Sequence, residues 1–272
     1  MYNIARTEWL KIKKYPAFWW VMGITALTYP GINYMFIGIY NNITEQKSSS
    51  GQIVKALIGN PFSFPEAWRT VAYFSSLFVF IPAIVIILLI TNEYTYKTNR
   101  QNIIDGWSRK DFMTGKLVDV IILSAIVTVL YALVALVIGI TNTTNAAAEK
   151  WKLVYYTGLF SLQTFSQLSI AFMVGLLIRK SFIALAVFAF YFIIAEPIAV
   201  NVLRYKYKNE IGEYFPLEIS HRLLPKPAFI GRINEEAYQA SLKAVNNHIF
   251  YTILLILATW AFCFWINNRR DL

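Results

Sequence analysis

The sequence predicts an all-α polytopic membrane protein with six transmembrane helices, and three observations carry that expectation. Of its 272 residues, 57% are hydrophobic and 15% charged, where an ordinary soluble domain carries about a quarter charged residues. The apolar residues come in runs that approach or exceed the ~20 needed to cross ~30 Å of hydrocarbon as a helix. Lys and Arg are divided unequally among the segments between those runs, as in a chain with a fixed orientation in the bilayer.

The runs lie at about 17–40, 71–91, 117–140, 153–178, 182–200 and 248–266. They use most of the chain, and no soluble catalytic domain fits in the longest remaining segment, about 201–247. The first run is longer than the apolar core of a signal peptide and lacks a small-x-small cleavage site, so it is read as a retained span. With the N-terminus inside, thirteen Lys and Arg fall on inner segments, against five (Lys47, Lys55, Arg69, Lys150 and Lys152) in the two short outer loops. Both termini are therefore expected in the cytoplasm. The formal net charge of +10 reads as topology and attraction to anionic lipid rather than to nucleic acid. A single cysteine, Cys263, allows neither a disulfide within the chain nor a cysteine metal site.

Before the first run, Met1, Ala5, Trp9 and Ile12 share one stripe of a helix, with Arg6, Lys13 and Lys14 on the far side. This is the pattern of an amphipathic helix lying in the membrane interface, where Trp9, Lys13 and Lys14 meet lipid. Glu8 intrudes beside the stripe, and Pro16 suits a break before the first span.

After the second run, residues 92–104 contain neither Pro nor Gly, so the helix is expected to continue past the membrane. Asp105-Gly106 is a turn pair that stops it, and Ser108 with Asp111 three residues on resembles a capping box that opens the next helix. The expectation is a short cytoplasmic helical hairpin between spans two and three. Its Gly115-Lys116 is no phosphate-binding turn: Gly106 lies too far upstream for a Walker loop, and Leu117 stands where a Ser or Thr is required. Lys116 is read instead as marking the membrane boundary.

The fourth run carries Gln163 and Gln167 among several Ser and Thr residues, groups that in lipid seek partners on other helices or line a wet pathway. Glu196, before Pro197, is read as the carboxylate placed within a span, near its outer end. It is either functional or reaches the interface. The segment 201–247 is amphipathic and punctuated by Pro, as in "EYFPLEISHRLLPKPAFI", and is expected to be structured and packed on the spans. His221 near Glu218 without a third ligand makes no metal site.

Residues 93–116 resemble the first cytoplasmic loop of the permease subunits of ABC-2 type transporters. The resemblance rests on Glu93, Lys97-Thr98, Arg100-Gln101, the Gly106-x-Ser108-Arg109 turn and Gly115-Lys116. The opening "RTEWLKIKK" and the outer "FPLEISHRLLPKP" are similar to the branch with bacteriocin-immunity and bacitracin-type exporters. The aromatic tip Asp105-Gly106-Trp107 departs from that family's smaller turn.

The resemblance implies a half-transporter and a single transmembrane domain over 1–272. It would pair with a second permease, as a homo- or heterodimer, and receive a separate ATPase subunit on the hairpin and the N-terminal helix. Glu93, Arg100, Asp105, Gly106, Ser108, Arg109 and Asp111 would be the coupling residues. The chain itself would be no enzyme and hold no cofactor, with ATP and Mg bound by the ATPase. The rival classes are an intramembrane enzyme and a secondary transporter. The Gly-x-Ser and Glu-Glu-x-x-x-Arg patterns of the first are not met, and the internal repeats of the second are not evident.

Overall fold

The computed structural model describes residues 2–45, 59–143 and 149–269, and among them every regular element is helical. Met1, Lys47 and Lys55, used above, lie outside them, as does Arg270, one of the thirteen inner basic residues. In order the elements are α1 (Tyr2–Lys14), α2 (Pro16–Glu45), α3 (Ala67–Ser76), α4 (Phe80–Thr95), α5 (Thr98–Ile104), α6 (Arg109–Asn142), α7 (Tyr156–Ile178), α8 (Ser181–Phe190) and α9 (Glu196–Tyr205). The short α10 (Pro216–His221) and α11 (Ala228–Gly231) precede the long α12 (Glu235–Arg269).

Among the described residues, four helical stretches are long and apolar enough to cross a membrane: α6, α7, the continuous Ser181–Tyr205 and Ala228–Arg269. A fifth is added if α3 and α4 form one bent span. The thirty-residue α2 has the length but not the composition, since Thr25, Thr28, Asn33 and Asn41 dilute it. The chain thus has the helices of a multi-pass membrane protein.

Two expected helices are interrupted. The run 71–91 bends by 49° between α3 and α4. Pro82 has no N–H to offer the carbonyl of Phe78, so the helical ladder cannot pass the bend intact. The helix expected to continue from 92 to 104 instead ends at Thr95, and Lys97 adopts a left-handed conformation with φ 57° before α5 begins. The run 182–200 is continuous but carries a π-helical turn, Tyr191–Ala195, just ahead of Pro197.

The core is organised around α7, the most deeply buried of those four stretches. Tyr131 of α6 stacks on Phe160 at 4.3 Å, and Trp260 of α12 stacks on Phe172 at 5.0 Å. Trp260 also donates its indole N–H to Ser169 Oγ at 3.0 Å. Aromatic area and a satisfied indole thus fix α6 and α12 against α7.

Candidate functional site

The hairpin is built as its local sequence dictates. Ser108 accepts the N–H of Asp111, and the Asp111 carboxylate accepts the N–H of Ser108, so both arms of the capping box are present. Gly106 has φ +97°, a conformation that side chains resist, which is why a glycine turns the tip. Arg100, Asp105, Gly106, Ser108 and Asp111 are exposed, and so are Tyr96 and Ile104, at 74% and 78%. Arg109 instead turns back: its Nη1 donates to the carbonyls of Asn267 and Asn268 at 3.2 and 2.8 Å. Cationic donors there satisfy carbonyls that the end of α12 leaves open.

Behind the hairpin lies a buried ion cluster. Lys116 Nζ donates to Glu8 Oε2 at 2.6 Å, to Glu93 Oε1 at 2.6 Å and to Asp119 Oδ2 at 3.0 Å. Lys11 Nζ adds contacts to Glu8 Oε1 at 2.7 Å and Glu93 Oε1 at 3.2 Å, and lies over the Trp107 ring. Glu8, Glu93, Lys116 and Asp119 are all buried. Three elements meet in this cluster: α1 through Glu8 and Lys11, α4 through Glu93, and α6 through Lys116 and Asp119. Gly115 makes the meeting possible, because a Cβ there would stand 3.2 Å from Glu8 Cγ. Burial alone disfavours the Glu8 carboxylate, yet Lys116 and Lys11 outweigh it and hold its pKa down to about 2, against an ordinary 4.5.

The cluster corrects several expectations. The stripe on the N-terminal helix divides: Ile12 turns inward together with Glu8, while Trp9, Lys13 and Lys14 stay exposed, free to meet lipid. Glu8 is therefore no intruder but the inward group, because a carboxylate with two ammonium partners is stable where an isolated one is not. Lys116, at the start of the third run, is 2% exposed, so its partners are carboxylates rather than water. Asp119 lies inside the run 117–140, so Glu196 is not alone among carboxylates within the spans. Of the coupling residues expected from sequence, only Glu93 belongs to the cluster.

At the opposite end of the bundle, the fourth run's amides find partners on the segment 201–247. Gln163 Nε2 lies 3.1 Å from His221 Nδ1, and Gln167 Nε2 lies 3.3 Å from Ser220 Oγ. Glu196 Oε1 accepts the backbone N–H of Glu218 at 2.6 Å, at the start of α10. Gln163, Gln167 and Glu196 thus join spans to a short helix tucked among them. Burial pushes the pKa of His221 below its ordinary 6.5, favouring the neutral ring. Glu218 is paired with Arg222 at 3.0 Å.

No curated protein matches the chain. A family model matches residues 53–272, which hold Glu93, Lys116 and Asp119 but not Glu8 or Lys11. The match spans well over half of the sequence, and the chain belongs to the family described as protein of unknown function DUF2705.

Proposed function

We propose that the chain is a transmembrane permease subunit of an ATP-binding cassette exporter. It pairs with a second permease, identical or not, and takes separate ATPase subunits on its hairpin and N-terminal helix. It moves an amphipathic substrate, such as a peptide, lipid or drug, by alternating access. ATP and Mg belong to the partner ATPase, and this chain is not itself an enzyme. The six spans are α2, the bent α3–α4 pair, α6, α7, α8–α9 and α12. Both termini face the cytoplasm of a bacterial inner membrane, as the excess of basic residues on the inner segments favours.

The observation that carries this reading is the pairing of an exposed tip with a buried anchor. Arg100, Ile104 and Asp105 offer a partner both charge and apolar area. Directly behind them the Glu8–Lys116–Glu93 contacts tie α1, α4 and α6 together, so a push on the tip moves helices rather than bending a loop. Arg109 is a poor probe of docking, since replacing it also removes its contacts with α12. Arg100 is exposed and serves better. Co-purification with a candidate ATPase, followed by ATP turnover in vesicles, tests the reading. Association is expected with the parent chain and weakened by Arg100→Glu. Saturable ATP binding by this chain alone, or no association with any candidate ATPase, would overturn it.

A further inference from the structure

The ion cluster does not balance. It brings three carboxyl groups, Glu8, Glu93 and Asp119, to two ammonium groups, Lys11 and Lys116. Both oxygens of Glu8 are paired, one with each lysine, and Glu93 Oε1 lies between the two lysines. Asp119 Oδ1 and Glu93 Oε2 are both buried without a hydrogen-bond partner, but Glu93 accepts from two lysines, whereas Asp119 has only the longest of the Lys116 contacts. Together with Lys116 it borders a narrow space among Ile86, Leu89, Ile90, Val120 and Phe172 with no room for water. An ionised carboxylate with a bare oxygen against apolar side chains is costly. Asp119 Oδ2 and Glu8 Oε2 both accept from Lys116 Nζ, and two carboxyl groups that share a site do not both ionise freely.

We propose that this cluster is a proton-binding site, in which one proton from solvent is carried by Asp119 and donated in a hydrogen bond to the ionised Glu8. Uptake changes the cluster from a net charge of one minus to zero, with no other species consumed. Asp119 meets Lys116 of its own helix, and through Lys116 the cluster's other charged groups, Glu8 and Lys11 from α1 and Glu93 from α4; α7 presents Phe172. The proton therefore acts across the contact of α1 with α6. With it bound, Glu8 and Asp119 attract; without it, they repel in a dry site and favour departure of α1. The docked state holds one more proton than the undocked state, so its stability falls as pH rises. This site does not depend on the transport reading and would stand if no ATPase bound.

The test uses the full chain in detergent. Asp119→Asn imitates the protonated group, because its amide can donate to Glu8. The parent is expected to melt at progressively lower temperature from about pH 6 to about pH 9, between the ordinary carboxylate and lysine ranges, and Asp119→Asn is expected to lose that slope. Infrared spectra should show one protonated-carboxyl band in the parent that Asp119→Asn lacks, which separates Asp119 from the other buried carboxyl groups such as Glu196. Glu8→Gln should move the same band, because it changes the acceptor. An unchanged slope, an unchanged set of carboxyl bands, or failure of Asp119→Asn to fold would each overturn the proposal.

Discussion

Replacing Lys116 by Met tests whether the buried cluster holds the hairpin end together. The substitution keeps much of the side-chain length but removes three contacts at 2.6, 2.6 and 3.0 Å. Glu8 and Glu93 would then share Lys11 alone, and Asp119 would have no cation. Removing one partner of a buried ion pair costs about 3–5 kcal/mol, mostly because the remaining charge stays buried. Lys11→Met is the control. That side chain is 32% exposed, and loss of a partly solvated pair whose carboxylates keep Lys116 costs about 1 kcal/mol or less. Thermal melting in detergent reads both variants. At ~2–4 °C per kcal/mol for a chain of this size, Lys116→Met should melt roughly 10 °C below the parent, and Lys11→Met within a few degrees. The double variant Glu8→Gln with Lys116→Met should recover part of the loss, since one stranded carboxylate is gone. Equal effects of Lys116→Met and Lys11→Met would show that the cluster is solvated and refute the reasoning.

Two further outcomes are expected. Gly115→Leu places a side chain where Glu8 Cγ lies 3.2 Å from the Cβ position, so it should lift α1 from α6 and make the first fifteen residues rapidly cleavable by added protease, whereas unchanged protection would refute the close approach. Acidification should destabilise the α10 contact: His221 has a folded pKa below its ordinary 6.5, so the unfolded state binds the proton more readily and stability falls as pH drops below about 6.5. A His221→Gln variant should lack that part of the acid dependence in melting experiments.

What the sequence made legible was local. Ser108 and Asp111 stand three residues apart and Gly106 stands two before them, so a cap and a turn could be placed without knowledge of any other segment. The bend after α3 also had a local signal in Pro82, yet the uniform apolarity of 71–91 hides it, because composition reports burial and not direction. The left-handed Lys97 had no such signal. Lysine is not a residue that advertises that conformation.

The ion cluster was hidden for a different reason: its members are far apart in the chain. Glu8 and Lys116 are separated by 108 positions, and no spacing rule reaches across that distance. Each residue read alone has an ordinary explanation: a lysine at a membrane boundary, a glutamate misplaced on an amphipathic stripe, an aspartate at the edge of an apolar run. The three anomalies explain one another only when brought together, because the cost of burying each charge is offset by the others. A usable signal did exist in combination. A Gly-Lys pair followed three residues later by Asp, at the entrance of an apolar helix, exposes both a small surface and an unbalanced ion pair to whatever packs there. An acidic residue on the inner edge of the preceding amphipathic helix is the natural complement. The hairpin's exposed charges draw attention because they are many and polar, but a solvated charge fixes little. The residues that decide whether the tip is rigid are the few charges that sequence hydropathy treats as exceptions.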